Sequence, residues 1–313
     1  MPTPTVFDIY VKKFSPNLYQ LAQATESKFA SKVRRESVAN AEEAYFDTVG
    51  PDDDPTEDAT HKGDTPDSEG NYGRRKVKPT KWHKGRVLDD KDLARTLADL
   101  NGSTTKSFAM SFGRKKDKII IDSMLGTAYI GKDGTSTVTF INESISMNAI
   151  TGGSITTLGT GASVTSAVGL ELAKMHRMMQ VFNDANVDEN IPKYWAGRPS
   201  DIKYLLGLTE IKSIDYNSVK AAHEGKVSYY GGFNIFWSTE VPISDTTING
   251  GTTCYRNLVW AEDGVILAYI GDLSTQMAPD TTKCFNTRIY SKMDLGAVRM
   301  EGAKVHECLT LIG

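Results

Sequence analysis

The chain has 313 residues, 39% of them hydrophobic and 24% charged, which places it among folded proteins with one large domain or two intimate ones and outside the disordered class. A net charge of −3 argues against a dedicated nucleic-acid binder, which carries a basic excess or a concentrated basic face. No apolar stretch approaches the roughly 18–20 residues that cross a bilayer; the longest tidy run is Val265-Ile-Leu-Ala-Tyr-Ile270.

The opening MPTPTVFDIYVKKF lacks a basic region followed by an apolar one, so it is not read as a secretory signal. Cys254, Cys284 and Cys308 are scattered, with no CxxC pair, which fits reduced thiols in a cytoplasmic product better than a disulfide framework. Up to about Ala44 the apolar residues Leu18, Leu21, Phe29 and Val33 are irregularly spaced for one helical face. This stretch reads as an arm that packs on something else or, equally, as a simple N-terminal helix.

An abrupt change follows. From Pro51 to Gly70 the chain carries Asp52, Asp53, Asp54, Glu57, Asp58, Asp64, Asp67 and Glu69 against a single Lys62. From Arg74 to Arg86 the sign inverts, with Arg74, Arg75, Lys76, Lys78, Lys81, Lys84 and Arg86 and no acid. A charged excursion this long is expected to be functional or disordered, because loops beyond about 12–15 residues are otherwise uncommon in compact domains.

Leu93, Ala94, Leu97 and Leu100 predict a short helix that stops at Asn101-Gly102. A longer helix is predicted from Ser103 to about Ala128, where Met110, Ile121, Leu125 and Ala128 share a face and Gly126 and Gly131 mark the end. Residues 132–162 are rich in Gly, Ser and Thr; Thr137–Ile141 reads as a strand and Thr151–Gly161 as a flexible loop. A second helix is expected on the stripe Val164, Val168, Leu172, Met175, Met179 and Phe182, with Ser163 as its N-cap. A third has Pro199 just inside its start and Gly207 just past its end. Beyond it the pattern is mostly strand: Phe233, Ile235 and Trp237 alternate, then Arg288–Tyr290, Ala297–Met300 and Val305–Leu311. No solenoid period is visible, and helices followed by strands predict an α+β class.

Motifs for chemistry are weak. Gly152-Gly153 and Gly159-Thr-Gly161 lack the Gly-Lys-Ser/Thr of a phosphate loop and the GxGxxG spacing. A calcium loop starting at Asp52 fails at position 6 (Glu57) and position 12 (Gly63). His61, His83, His176, His223 and His306 form no metal-ligand pair, His176 being read as a surface or boundary residue, and no GxSxG elbow is present. The run RRKVKPTKWHKGR, with Trp82 embedded, is the best nucleic-acid candidate because aromatics among cations can stack bases. The dense acidic stretch before it favours pairing of the two blocks, or pairing with neighbouring subunits. No catalytic, cofactor-binding or metal-ligating residue is assigned.

Several segments, in order, resemble the major capsid proteins of tailed bacteriophages with the HK97-type fold. Gly113-Arg-Lys-Lys-Asp117 and Ile119–Ala128 are similar to the end of that family's long spine helix. Ile191–Trp195 and Arg198–Leu206 look like a strand leading to a short helix with paired leucines in its axial (A) domain. Gly225-Lys-Val and Gly231–Pro242 resemble its glycine, strand and proline segment, while Glu262–Ala268 and Leu295–Glu301 look like the returning helix and last strands of its peripheral (P) domain.

The resemblance implies an α+β HK97-like capsid fold with an N-terminal arm at 1–43 and an extended E-loop at 44–88. The P domain would take 89–134 and 271–313, with the spine helix at about 103–128, and the A domain 135–270. It implies a non-enzymatic shell subunit of the virion, made in a bacterial cytoplasm, whose main partner is itself in pentamers and hexamers. No scaffolding extension precedes the arm, so a separate scaffolding protein is expected, beside a portal protein; a decoration protein is left open, packaged DNA would be met only non-specifically, and no membrane is involved. Asp52, Asp54, Arg74, Arg75, Lys78, Trp82 and Arg86 are the expected inter-subunit contacts. Some relatives cross-link a lysine to a neighbour's asparagine, but Lys62, Lys76 and Lys78 sit in no motif that marks such a pair. Three alternatives stand beside this reading: an encapsulin-like compartment of the same fold, a tail-tube subunit, which the long helices disfavour, and an α+β enzyme using Cys254 or His223.

Overall fold

A computed structural model describes residues 23–38, 41–52, 54–55, 57, 70–89, 99–140, 146–149, 155–158, 169–207, 228–244 and 253–312. In chain order the first elements are β1 (Arg34–Ser37), β2 (Ala44–Val49), β3 (Tyr72–Val77), β4 (Thr80–Leu88) and the long helix α1 (Leu100–Leu125). Then come β5 (Ala128–Ile130), β6 (Ser136–Val138), β7 (Ser146–Ala149), β8 (Ile155–Leu158), α2 (Leu172–Asp184), β9 (Lys193–Gly197) and α3 (Asp201–Gly207). The last are β10 (Tyr229–Tyr230), β11 (Phe233–Trp237), β12 (Cys254–Ala261), β13 (Val265–Pro279), β14 (Thr287–Arg299) and β15 (Val305–Leu311). The strands form sheets of order β1-β13-β14-β4, β10-β11-β9-β12-β15-β7-β8 and β2-β3-β5-β6.

The chain divides into two compact units. The larger comprises Ser27–Thr80, Lys115–Ile270 and Leu295–Gly313, the smaller Met1–Glu26, Lys81–Arg114 and Gly271–Asp294.

The larger unit is built on the seven-stranded sheet, whose strands β9, β12 and β15 are largely buried on both faces. On one face α2 lays Met175, Met178, Val181 and Phe182 against Trp195, Phe233, Ile235, Val259 and Cys308. These residues recur every three or four positions on the helix and every second position on the strands, which is why a 3.6-residue period meets a two-residue one here. On the other face Phe29 stacks on Trp260 (ring centroids 5.5 Å apart) and meets Phe236 edge-on at 5.0 Å. Fully burying one such side chain contributes about 1.5–3 kcal/mol. The segment that carries Phe29 is tied down by Asp117, 2% exposed, whose carboxylate accepts from Ser27 Oγ (2.5 Å), Lys28 N (3.2 Å) and Phe29 N (3.2 Å). Trp260 Nε1 donates to Lys32 O at 2.9 Å.

Local chemistry explains the turns. Gly231 and Gly232, at φ +58 and +86, form the two-residue link of the β10–β11 hairpin, a geometry that needs positive φ at both positions. At the end of α1, a Cβ on Gly126 would lie 2.5 Å from Asp122 O. There the buried Arg299 donates to Met124 O (2.6 Å), Gly126 O (2.9 Å) and Val138 O (3.4 Å), placing a cation where the helix dipole is negative. In the smaller unit the turn between β13 and β14 is organised by the Asp280 carboxylate, which accepts from Thr282 N (3.0 Å), Thr282 Oγ1 (2.6 Å) and Arg288 Nη1 (3.0 Å).

Several expectations are corrected. The long helix starts at Leu100, so Asn101-Gly102 lies in its first turn instead of ending a preceding helix. Asp99 supplies the start: its Oδ1 accepts from Gly102 N at 3.0 Å, and glycine is little penalised where helix N–H groups have no partner anyway. The helix ends at Leu125, and Ala128 opens β5. The second helix begins at Leu172 with Glu171, not Ser163, before it, and Glu171 makes no side-chain cap. Asp201 N closes a turn on Arg198 O at 2.9 Å, so α3 starts two residues after Pro199 and Gly207 is its last residue. Within the glycine-rich stretch read as a loop, Ile155–Leu158 is a strand, because β7 offers it an antiparallel ladder. The basic half of the charged excursion forms the strands β3 and β4, each paired to a partner distant in sequence. Glu262–Ala268 is no helix: Glu262–Gly264 is one 3-10 turn, and Val265–Ala268 is buried on both strand faces. Arg288–Tyr290 and Ala297–Arg299 belong to the single strand β14. Readings of Leu18, Leu21, Leu93, Ala94, Leu97, Ser163, Val164, Val168, His61, His223, Gly225 and most of the acidic run fall outside the described residues.

Candidate intersubunit surface

Strict alternation in Ala44-Tyr-Phe-Asp-Thr-Val49 sends Ala44 and Phe46 inward, to a cluster with Val77, Ile266 and Val298, and Tyr45, Asp47 and Val49 outward. The antiparallel register sets Tyr45 opposite Lys76, Asp47 opposite Arg74 and Val49 opposite Tyr72. One outer face therefore carries a charged pair, two aromatic–cation neighbours and an apolar pair. Arg74 Nε lies 2.5 Å from Asp47 Oδ1, Lys76 Nζ 2.8 Å from Glu43 and Lys78 Nζ 2.8 Å from Glu42. Hydrogen bonds from these cations hold the Asp47 and Glu43 carboxyls below their ordinary range. The Arg74 guanidinium sits 5.7 Å and the Lys76 ammonium 5.9 Å from the centre of the Tyr45 ring. Val49 (74% exposed) and Tyr72 (77%) face solvent together, apolar area that a solitary protein gains nothing by displaying.

Of the expected contact residues, Asp52 and Asp54 are exposed on the chain that leaves β2. Arg74 and Lys78 join carboxylates of the strand β2 and of the residues just before it, not of the acidic run. Arg75 points the other way and donates from Nε to Met300 O at 2.9 Å. Trp82, half-buried, and Arg86, exposed, lie on β4 in the smaller unit. There Lys84 and Arg86 stand 5.3 Å and 5.7 Å over the Phe108 ring, Lys84 Nζ donates to Ser111 Oγ at 3.2 Å, and His83 stacks on Tyr290 at 6.1 Å. Sequence reasoning missed Glu42, Glu43 and Asp47 as partners and Val49–Tyr72 as an exposed pair. The alternation in AYFDTV and YGRRKV was the signal for Asp47 and for the exposed pair; Glu42 and Glu43 lie just before β2, outside it.

The interior holds a polar network sealed from solvent. Asp201, Asn257 and Thr310 are each 0% exposed; Asn257 Nδ2 donates to Asp201 Oδ2 at 2.7 Å and Thr310 Oγ1 lies 3.2 Å from it. Burial pushes the Asp201 carboxyl above its usual range. Lys174, 1% exposed, donates to Leu309 O at 2.9 Å, and burial lowers its pKa. Cys254, the nucleophile an enzyme reading needed, is 0% exposed; His176 is exposed, as expected. Among the described residues no group of three or more His, Cys, Asp or Glu is arranged to hold a metal, and no helix is long and apolar enough to cross a membrane.

Comparison with known proteins gives this surface its context. The chain superposes along nearly its whole length on the capsid of the cyanophage P-SCSP1u, with a TM-score of 0.74 at 17% identity, covering 99% of this chain and 96% of that one. The Ralstonia phage GP4 capsid aligns at 0.69 and 15%, covering 97% and 96%. The chain of Mycobacterium phage Che8 aligns at 0.67 and 13%, covering 96% and 97%. No curated protein sequence matches. The fold is thus the α+β HK97 type. The model of the phage capsid protein family matches residues 6–310, and this chain belongs to that family.

Proposed function

We propose that the chain is the major structural subunit of an icosahedral phage head that encloses double-stranded DNA. The observation that carries this is the family match over residues 6–310, supported by whole-length superposition on capsid chains. The match to the phage capsid protein family does not favour an encapsulin-like compartment. The work of such a subunit is geometric. Heterologous contacts close copies into rings and rings into a shell, and many individually weak contacts act together as avidity.

In this reading 1–43 is an arm, 44–88 an extended loop, 89–134 and 271–313 the peripheral domain and 135–270 the axial domain. Asp52, Asp54, Arg74, Arg75, Lys78, Trp82 and Arg86 meet neighbouring copies. The exposed Val49–Tyr72 pair and the charges around it suit contacts whose register is set by electrostatics more than their strength. Assembly takes place in the host cytoplasm with a separate scaffolding protein and a portal. Negative-stain electron microscopy of the purified chain, with and without the scaffolding protein of its phage, tests the proposal. Closed shells, tubes or hexamer rosettes are expected; a monomer under both conditions refutes it.

A further inference from the structure

Glycine follows asparagine directly at Asn101-Gly102, in the first turn of α1. In an open chain such a pair readily loses ammonia, because glycine has no Cβ to hinder approach of its nitrogen to the asparagine side chain. The first turn needs this glycine and also restrains it. A Cβ on Gly102 would collide with the Asp99 carboxylate, so glycine is what lets Asp99 Oδ1 accept from Gly102 N at 3.0 Å. Ser103 N donates to Asp99 O at 3.3 Å and Thr105 Oγ1 to Asn101 O at 2.9 Å. These bonds hold Asn101 at a helical ψ, about −42°, an angle at which Gly102 N cannot close a ring on the Asn101 side chain. Asn101 Oδ1 is buried, and among the described residues no donor reaches it. Negative charge developing there during attack would go unstabilised.

We propose that Asn101-Gly102 is a self-modification site whose rate is set by the Asp99 cap. When the first turn opens, Gly102 N gives its proton to hydroxide and attacks Asn101 Cγ. The Cγ–Nδ2 bond breaks, ammonia leaves with a proton from water, and a cyclic imide remains. Water then adds to one of the two imide carbonyls and opens the ring to aspartate or isoaspartate; nothing is oxidised or reduced. Isoaspartate routes the main chain through the side-chain carbon and adds one backbone atom. The bonds of Ser103 N to Asp99 O and of Thr105 Oγ1 to Asn101 O then lose their spacing, and α1 cannot start where it did. The mark is irreversible and accumulates on chains whose α1 has stood open. This chemistry is independent of the shell reading and proceeds in the unassembled chain.

The test follows full-length chains at mildly alkaline pH by peptide mapping with mass spectrometry. The mass reads replacement of the amide by a carboxyl, and retention separates isoaspartate from aspartate. The chain's second such pair, Asn249-Gly250, serves as the internal reference. In folded wild type Asn101 is expected to convert at least about tenfold more slowly than in the chain unfolded in guanidinium chloride, where no helix is nucleated. Asp99→Ala removes the cap and speeds conversion in the folded chain about fivefold. Asp99→Ser keeps an oxygen for Gly102 N and stays within about twofold of wild type. The Asn249 rate is the same in all three folded chains. Equal Asn101 rates in folded and unfolded wild type, no acceleration in Asp99→Ala, or the same acceleration in Asp99→Ser overturns the proposal. A parallel rise at Asn249 overturns it too, since general unfolding is then the cause.

Discussion

Part of the loosening of this protein by acid should come from one buried residue. His306 on β15 is 1% exposed; its Nε2 lies 2.8 Å from Ala303 O, and its ring meets Phe182 edge-on at 5.0 Å. Burial lowers its pKa from 6.5 to about 4. An unfolded chain therefore takes up this proton near pH 6.5, while the folded chain resists until about pH 4. Between those values the unfolded state binds more protons, so stability falls as the pH falls, and below both it is flat. A pKa difference of about 2.5, at about 1.36 kcal/mol for each pH unit, is worth roughly 3 kcal/mol. The His306→Gln variant keeps a donor for Ala303 O but does not titrate. Urea unfolding followed by the fluorescence of the buried Trp195 and Trp260 gives stability at a series of pH values. Wild type is expected to lead the variant above about pH 7, and that lead to shrink by about 3 kcal/mol by about pH 4. Asp201, whose raised pKa works in the opposite direction, is common to both chains and cancels from the difference. Parallel curves for the two proteins would refute the buried, neutral histidine.

Arg299→Met strips the donor from Met124 O and Gly126 O at the end of α1, and hydrogen bonds to charged groups contribute about 1.5–3 kcal/mol each. Partial relief of guanidinium burial leaves an expected loss of about 3 kcal/mol, read as a lower melting temperature, with Arg299→Lys between the two. Asp117→Ala orphans Ser27 Oγ, Lys28 N and Phe29 N at once. It should cost about 2–3 kcal/mol and hasten tryptic cleavage after Lys28 and Lys32 under native conditions. In the unassembled chain Cys284 is exposed while Cys254 and Cys308 are buried, and burial pushes the Cys308 thiol up to about 11. Native labelling with a thiol reagent should modify Cys284 alone, and the other two only on unfolding.

Much of this was legible in the chain itself. The long helix, the α2 stripe and the strand Val305–Leu311 declare themselves because apolar residues recur at the period of the element that buries them. The charge inversion at residues 70–74 marked the region where neighbours are expected to meet. What misled were boundaries and partners. Asn101-Gly102 reads as a stop until Asp99 is seen to cap a helix starting there. Val265–Ala268, apolar at every position, cannot be told from a helix by period alone, and only pairing with β1 makes it a strand. Ile155–Leu158, set in a run rich in glycine, serine and threonine, reads as part of a loop until β7 pairs with it.

The sequence alone thus determined the class, the main helices and the location of the charged surface, since these follow from composition and local periodicity. The tertiary structure decided which cations of the basic run find a carboxylate among the described residues. Arg74 and Arg86 are the same residue type in one basic run, yet Arg74 finds Asp47 across a hairpin and Arg86 stands over a phenyl ring. A carboxylate brought to 2.5 Å by strand register decides that difference, and register is set by which faces are buried, which no local pattern contains.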